Sequence, residues 1–399
     1  MSHAIGLREA AATTPLLLLG RRADPYSERG TICPGSVPEP SDPRLVERAR
    51  TARATLGDRV FVLGHHYQRD EVIQFADARG DSFKLARDAA SNGAPYIVFA
   101  GVHFMAETAD ILTPPDVQVI LPDMAAGCSM ADLADISQVE SAWEDLREVG
   151  CGDAGTTTVP LVYMNSSAAI KAFTGRNGGT ICTSSNAEQA MRWAFDRGDQ
   201  VLFLPDQHLG RNTAVLQLGL RLTDCVVYDP RRPSGGLTPE ALRAAKVVLW
   251  KGHCSVHGTF TEAHVDLVRA KVPGVRVLVH PECRHEVVLK ADLVGSTERI
   301  IKAVEAAPPG TKWAIGTELN LVGRLAHAHP EQQIVFLNET VCFCATMNRI
   351  DLPHLVWAFE ELVDGRVPNR IQVDEDTAHW ALLALNRMLA LPGGRPPRG

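Results

Sequence analysis

The chain has 399 residues, 45% of them hydrophobic and 22% charged, enough apolar material for several buried cores in an ordinary enzyme-like composition. Its formal charge of -7 argues against nucleic acid as a partner, because such partners need a basic face. No stretch approaches the ~18 consecutive apolar residues of a membrane span, and the run Leu16 to Leu19 is too short for a signal-peptide core. A cytoplasmic location is therefore expected. Thiols stay reduced there, so the nine cysteines are expected to be buried fillers, metal ligands or nucleophiles rather than a disulfide framework.

In chain order, residues 1–44 carry mixed polarity with Pro34, Pro38, Pro40 and Pro43, and read as an irregular extension before a first helix over 44–56. Nine short apolar runs then predict buried parallel strands: Val60–Leu63, Tyr96–Ala100, Val117–Leu121, Val159–Tyr163, Val201–Leu204, Val247–Trp250, Val275–Val279, Trp313–Ile315 and Ile334–Leu337. Stretches with helical spacing separate most of them. The alternation predicts an α/β protein built from several small parallel units. Residues 392–399, rich in Pro, Gly and Arg, read as a disordered tail.

The unusual polar residues sit just after these strands, where ligands bind in open α/β sheets. His65 and Tyr67 follow the first strand, Tyr163 and Asn165 the fourth, and His280 and Glu282 the seventh. Each is an i, i+2 pair. If the extended conformation continues, both members face the same side. Histidine titrates near neutral pH, and a desolvated Glu can be tuned toward it, so these pairs are candidate proton carriers. Four strings place small hydroxyl residues ahead of a helical pattern: GDSFKLA, NSSAAIKA, CTSSNAEQA and GSTERI. One such motif is plain helix capping. Four of them suggest a polyanionic substrate held at helix N-termini.

Cys128 in AGCSMAD, Cys254 in WKGHCSVH and Cys344 in CFCATM lie in loops with small or polar neighbours. Cys33 lies in the extension, and Cys151, Cys182, Cys225 and Cys283 read as fillers. No zinc-ribbon spacing and no compact ferredoxin run is present. Three distant thiolates on a four-iron cluster leave one iron without a protein ligand, free to act as a Lewis acid.

The strings GHHYQRDEVIQFADARGDSFKLA, VFAGVHFMAETADIL, PDMAAGCSMAD, YMNSSAAIKA, CTSSNA, FLPDQHLG, WKGHCSVH, HPEC, ADLVGST, GTE and CATM occur in an order that closely resembles the A-type quinolinate synthases, over about 65–347. The resemblance implies three similar α/β/α domains with short parallel sheets around a pseudo-threefold axis, and an active site at their junction. On this chain the domains are expected over 45–127 (completed by helices in 348–391), 128–245 and 246–347. It further implies a transferase-type condensation of iminoaspartate with dihydroxyacetone phosphate to quinolinate, phosphate and water in de novo NAD synthesis. An L-aspartate oxidase would supply the iminoaspartate.

By the same resemblance a [4Fe–4S] cluster falls on Cys128, Cys254 and Cys344. Substrate-binding residues fall on His65, Ser82, Tyr163, Asn165, Ser184, His257 and Thr297. The proton shuttle falls on Tyr67 and Glu282, with His280 assisting. The sequence departs from the family pattern at Cys344-Ala345-Thr346-Met347, where many members have Pro after the Cys; Cys342 stands two residues away, and the Met three residues on favours Cys344. A cluster-dependent hydro-lyase acting on another small acid, and a non-catalytic iron–sulfur sensor, are the rival readings. A sensor needs a readout surface such as a basic DNA-binding helix, and the sequence offers none.

Overall fold

The computed structural model describes residues 37–150, 156–338 and 343–391. The expected extension up to residue 36, Cys33, Cys151, Cys342 and the tail 392–399 lie outside the described residues. Strands β1 (Val60–His65), β2 (Ala78–Gly80), β3 (Tyr96–Ala100) and β4 (Gln118–Ile120) form a first sheet. A second contains β5 (Thr158–Tyr163), β6 (Thr180–Cys182), β7 (Gln200–Leu204), β8 (Cys225–Tyr228) and β9 (Val247–Trp250). A third contains β10 (Arg276–Val279), β11 (Leu293–Val294), β12 (Lys312–Gly316) and β13 (Gln333–Phe336). The short strand β14 (Arg370–Ile371) returns to the first sheet and pairs antiparallel with β4. All other pairings are parallel.

All nine expected strands are present, and the mostly parallel α/β class is as the sequence predicts. β5, β7 and β9 are buried along their whole length, as parallel strands covered by helices on both faces must be. One grouping differs from the expected domain limits. Val247–Trp250 pairs with β7 and β8, so it belongs to the second sheet and not to a unit beginning at 246. A buried apolar run looks the same whichever sheet it joins, so its partner was not legible.

The three sheets repeat one order. The first strand of each sits between its second and third, and β4, β9 or β13 lies on the far side of the third: β2-β1-β3-β4, β6-β5-β7-β9 and β11-β10-β12-β13, with β8 added outside β9. Reversal of strand order between the first and third strands opens a crevice at their carboxyl ends. Each sheet therefore presents its chemistry-bearing loops from equivalent positions.

The C-terminal helices fasten the first two units. Helix Leu352–Val363 packs on helix Leu45–Leu56, where Arg48 holds Glu360 through bonds of 2.8 and 2.7 Å. Helix Glu375–Leu389 packs against helix Ala168–Arg176 in the second unit. The two backbones meet at Gly175, where an added Cβ would lie 1.9 Å from the Trp380 carbonyl oxygen. A Gly to Ala change in a helix ordinarily stabilises it by about 1 kcal/mol. Gly175→Ala is expected to reverse that sign and cost ~1–3 kcal/mol through overpacking, read as a lower urea midpoint.

Candidate active site

The thirteen candidate residues all line one cavity, walled by loops of all three sheets. The repeated strand order puts them there in matching sets. After the first strands come His65 and Tyr67, Tyr163 and Asn165, and His280 and Glu282. After the second strands come Ser82, Ser184 and Thr297. After β4, β9 and β13 come Cys128, Cys254 and Cys344. Apolar wall is supplied by Phe83, Val102, Phe104, Met105, Met130, Val256 and Met347.

The hydroxyls do not act as the capping motifs suggested. Helix Ser82–Ser91 is capped by Asp81, which accepts from the Lys84 N–H at 2.9 Å. Helix Thr297–Glu305 follows Ser296 with no side-chain cap, and helix Ala187–Phe195 follows Asn186 without one. Ser82, Ser184 and Thr297 are therefore left to the cavity. Only NSSAAIKA keeps the capping role, through Ser167 and the Ile170 N–H.

Glu282 is the centre of a buried polar chain. Its Oε1 accepts from the Tyr163 hydroxyl at 2.5 Å, and its Oε2 accepts from His257 Nδ1 at 2.8 Å. His257 Nε2 then shares a 3.2 Å hydrogen bond with Thr317 Oγ1, and Thr317 shares one of 2.9 Å with the Tyr67 hydroxyl. Thr297 completes the line with a 3.0 Å bond to Tyr67. An ionised Glu282 makes the Tyr163 hydroxyl and His257 Nδ1 the donors at its end, since a carboxylate only accepts. Burial opposes that charge. The bonds from His257 and Tyr163 outweigh it and hold the carboxyl below its ordinary range. His257 and His280 stack at 4.3 Å, with ring planes 15° apart. Burial keeps the Tyr67 and Tyr163 phenols well above their ordinary range. Asn165 Oδ1 is buried without a partner among the described residues, an acceptor left for a ligand.

Burial drives His65 and His280 down to about 3, so both are neutral at pH 7. In the unfolded chain each takes up a proton near 6.5. Between about 6.5 and 3 the unfolded state binds protons that the folded state refuses, so stability falls as the pH is lowered through that window. The urea midpoint is expected to drop steadily from pH 6.5 to 4.5. A flat midpoint across that range would contradict a buried neutral pair.

The three cysteines are each half-buried at the cavity wall. Burial, reinforced by the neighbouring Cys344 sulfur, pushes the Cys128 thiol up to about 12. Burial, Glu282 and the other two sulfurs raise Cys254, and burial raises Cys344. Thiolates at this junction therefore need a strong local cation. Cys254, His257 and Glu282 have ligand atoms within 4.8 Å of one another, a group able to hold a metal. Cys225 sits on edge strand β8, Cys182 on β6, and Cys283 is packed with its Sγ 3.6 Å from the Gly316 carbonyl.

Two features were not assigned from sequence. Thr317, fully buried, joins the Tyr67 and Glu282 halves of the polar chain. GTE marked its place after a strand, but nothing in the string shows what its hydroxyl touches. Lys171 is fully buried, donates to the Ser166 carbonyl and lies 5.3 Å over the Phe104 ring that walls the cavity. Burial brings its ammonium down to about 8.

Comparison with known proteins adds an independent line. Residues 48–390 match the family described as NadA, Quinolinate synthetase A protein. A Nocardioides sp. (strain ATCC BAA-499 / JS614) protein called Quinolinate synthase is 69% identical over 389 residues, covering 96% of this chain and 98% of that one. Proteins of the same name from Streptomyces coelicolor and Acidobacterium capsulatum are 68% and 58% identical, covering 94% and 88% of this chain and 96% and 94% of theirs.

Proposed function

This chain belongs to the quinolinate synthetase A family, and we propose that its junction cavity makes quinolinate by condensing iminoaspartate with dihydroxyacetone phosphate, with release of phosphate and water. The observation that carries this reading is the convergence of one pair, one hydroxyl and one cysteine from each sheet on a single cavity.

A [4Fe–4S] cluster fits the donor set. Cys128, Cys254 and Cys344 line the same cavity, and their thiols raise one another's cost of ionisation, which a cationic iron centre removes. When bound there, the cluster supplies one Lewis-acidic iron without a protein ligand, which assists loss of water.

The protein's own groups do the rest. Ser82, Ser184 and Thr297 face the cavity beside helix N-termini, where carboxylate oxygens of iminoaspartate or quinolinate gain both hydrogen bonds and the helix dipole. Asn165 and His65 add hydrogen bonds, His65 as a neutral imidazole. Tyr67 and Glu282 carry the proton movements that turn the ketose carbon skeleton toward an aldose. The line Tyr67–Thr317–His257–Glu282 lets a proton accepted at one end be matched by release at the other. His280, stacked on His257, fixes that imidazole's plane. An L-aspartate oxidase is the fitting source of so hydrolysable an imine.

The test is anaerobic. Purified chain should contain iron and acid-labile sulfide, and should form quinolinate from dihydroxyacetone phosphate and enzymatically generated iminoaspartate. A loaded chain that forms no quinolinate would sink the reading. Among the described residues no helix is long and apolar enough to cross a membrane.

A further inference from the structure

The loops that carry Cys254 and Cys344 are held by the same device. In each unit a helix begins just past the third strand. In the second unit Asp206 caps that helix, its Oδ1 accepting from the N–H groups of His208 and Leu209, both at 2.7 Å. Its other oxygen, Oδ2, accepts from the backbone N–H of Cys254 at 3.2 Å. In the third unit Glu318 occupies the equivalent place. Its Oε2 accepts from Asn320 and Leu321 N–H at 2.8 and 3.3 Å, and its Oε1 from the backbone N–H of Cys344 at 3.4 Å. Both carboxylates are fully buried. Neither belongs to the acid–base chain of the cavity.

The first unit differs. Val102 stands at the equivalent position and offers no side-chain cap. There the His103 N–H donates to the Ala126 carbonyl at 2.8 Å, in the loop leading to Cys128. That loop is braced by Asp123, which accepts from the Ala125 N–H at 2.8 Å and from Arg349 at 2.9 Å. Helix capping alone needs one carboxylate oxygen near the surface. Burying a whole carboxylate costs free energy unless both oxygens are satisfied. The repeated use of the second oxygen on a cysteine N–H is what capping leaves unexplained.

We propose that Asp206 and Glu318 are positioning residues for the cluster, each clamping the backbone of one ligating cysteine to a helix N-terminus. This deepens the cluster reading given above and rests on it. The clamps set the two thiols before iron arrives and slow its escape afterwards. Groups that orient ligands without touching metal commonly change affinity by about 10–100-fold.

Asp206→Asn and Glu318→Gln are isosteric tests. The amide oxygen keeps the two-fold helix cap, while the amide NH2 meets the cysteine N–H donor to donor. Holoenzyme prepared anaerobically is mixed with excess iron chelator, and decay of the visible cluster absorbance is followed. Both variants should lose the cluster at least about tenfold faster than the unaltered chain. Asp206→Ser, which keeps a cap but is too short to reach Cys254, should match Asp206→Asn. The control is Asp351→Asn. Asp351 caps helix Leu352–Val363 at the His354 N–H and holds no cysteine, so its loss should leave the decay rate alone. Unaltered decay in both isosteric variants, or equal acceleration by Asp351→Asn, overturns the clamp. Unaltered chain that never holds iron and sulfide overturns the cluster reading instead.

Discussion

Single replacement of Cys128, Cys254 or Cys344 by serine is expected to abolish both the brown cluster absorbance and quinolinate formation, while Cys225→Ser leaves both in place. The expectation follows from position. The first three sulfurs converge on one cavity from the ends of β4, β9 and β13. Cys225 is half-buried on β8, at the far edge of the second sheet. A serine hydroxyl is a far weaker ligand for iron than a thiolate, and with only three protein ligands the loss of one leaves the cluster held at two corners. Iron and sulfide content, visible absorbance and a quinolinate assay on the four variants read the result. A cluster that survives in any of the first three variants at full occupancy removes that cysteine from the ligand set.

The second large effect is expected at Glu282. In Glu282→Gln the side chain keeps its shape but loses its charge and one acceptor. Its NH2 must then face either the Tyr163 hydroxyl or His257 Nδ1–H, both of which donate to the carboxylate in the unaltered protein. The line from Tyr67 through Thr317 and His257 loses its terminal base. The variant should keep cluster absorbance, since Glu282 is not among the three cysteine ligands, and its kcat should fall by about 10²–10⁴-fold, the usual worth of a general acid–base group. KM should change far less than kcat. Normal turnover in a loaded Glu282→Gln variant would remove Glu282 from the proton path.

What the sequence made legible divides by physical cause. Strands that carry a continuous apolar run stood out: all eight central strands, and β13, an edge strand whose Ile334–Phe336 run is apolar. The strands β2, β6, β8, β11 and β14 did not, and every one of them is the edge of its sheet. An edge strand has one neighbour and is often short or partly exposed, so segments such as Ala78–Gly80 and Arg370–Ile371 carry little apolar signal. The same division holds in the cavity. His65, Tyr67, His280 and Glu282 were visible because a strand ending in paired titratable residues is unusual. Thr317, Asp206 and Glu318 act through bonds to segments far away in the chain, and spacing along a sequence carries no record of such bonds. The threefold repetition of strand order was hidden for a related reason. Order is a property of pairing, and the paired segments share burial rather than residues.

The route of the chain through its sheets also fixes when the protein can become competent during synthesis. β4, which leads to the first cysteine, has β14 as its outer neighbour, and β14 comes only after the third cysteine has been made. Helix Glu375–Leu389, made later still, supplies the cover for helix Ala168–Arg176. A nascent chain that has exposed all three thiols outside the ribosome still lacks the pieces that close its first and second units. Closure of the first and second units therefore waits on residues 370–389, and a ribosome stalled before residue 370 would present the three thiols to oxygen with no finished pocket around them.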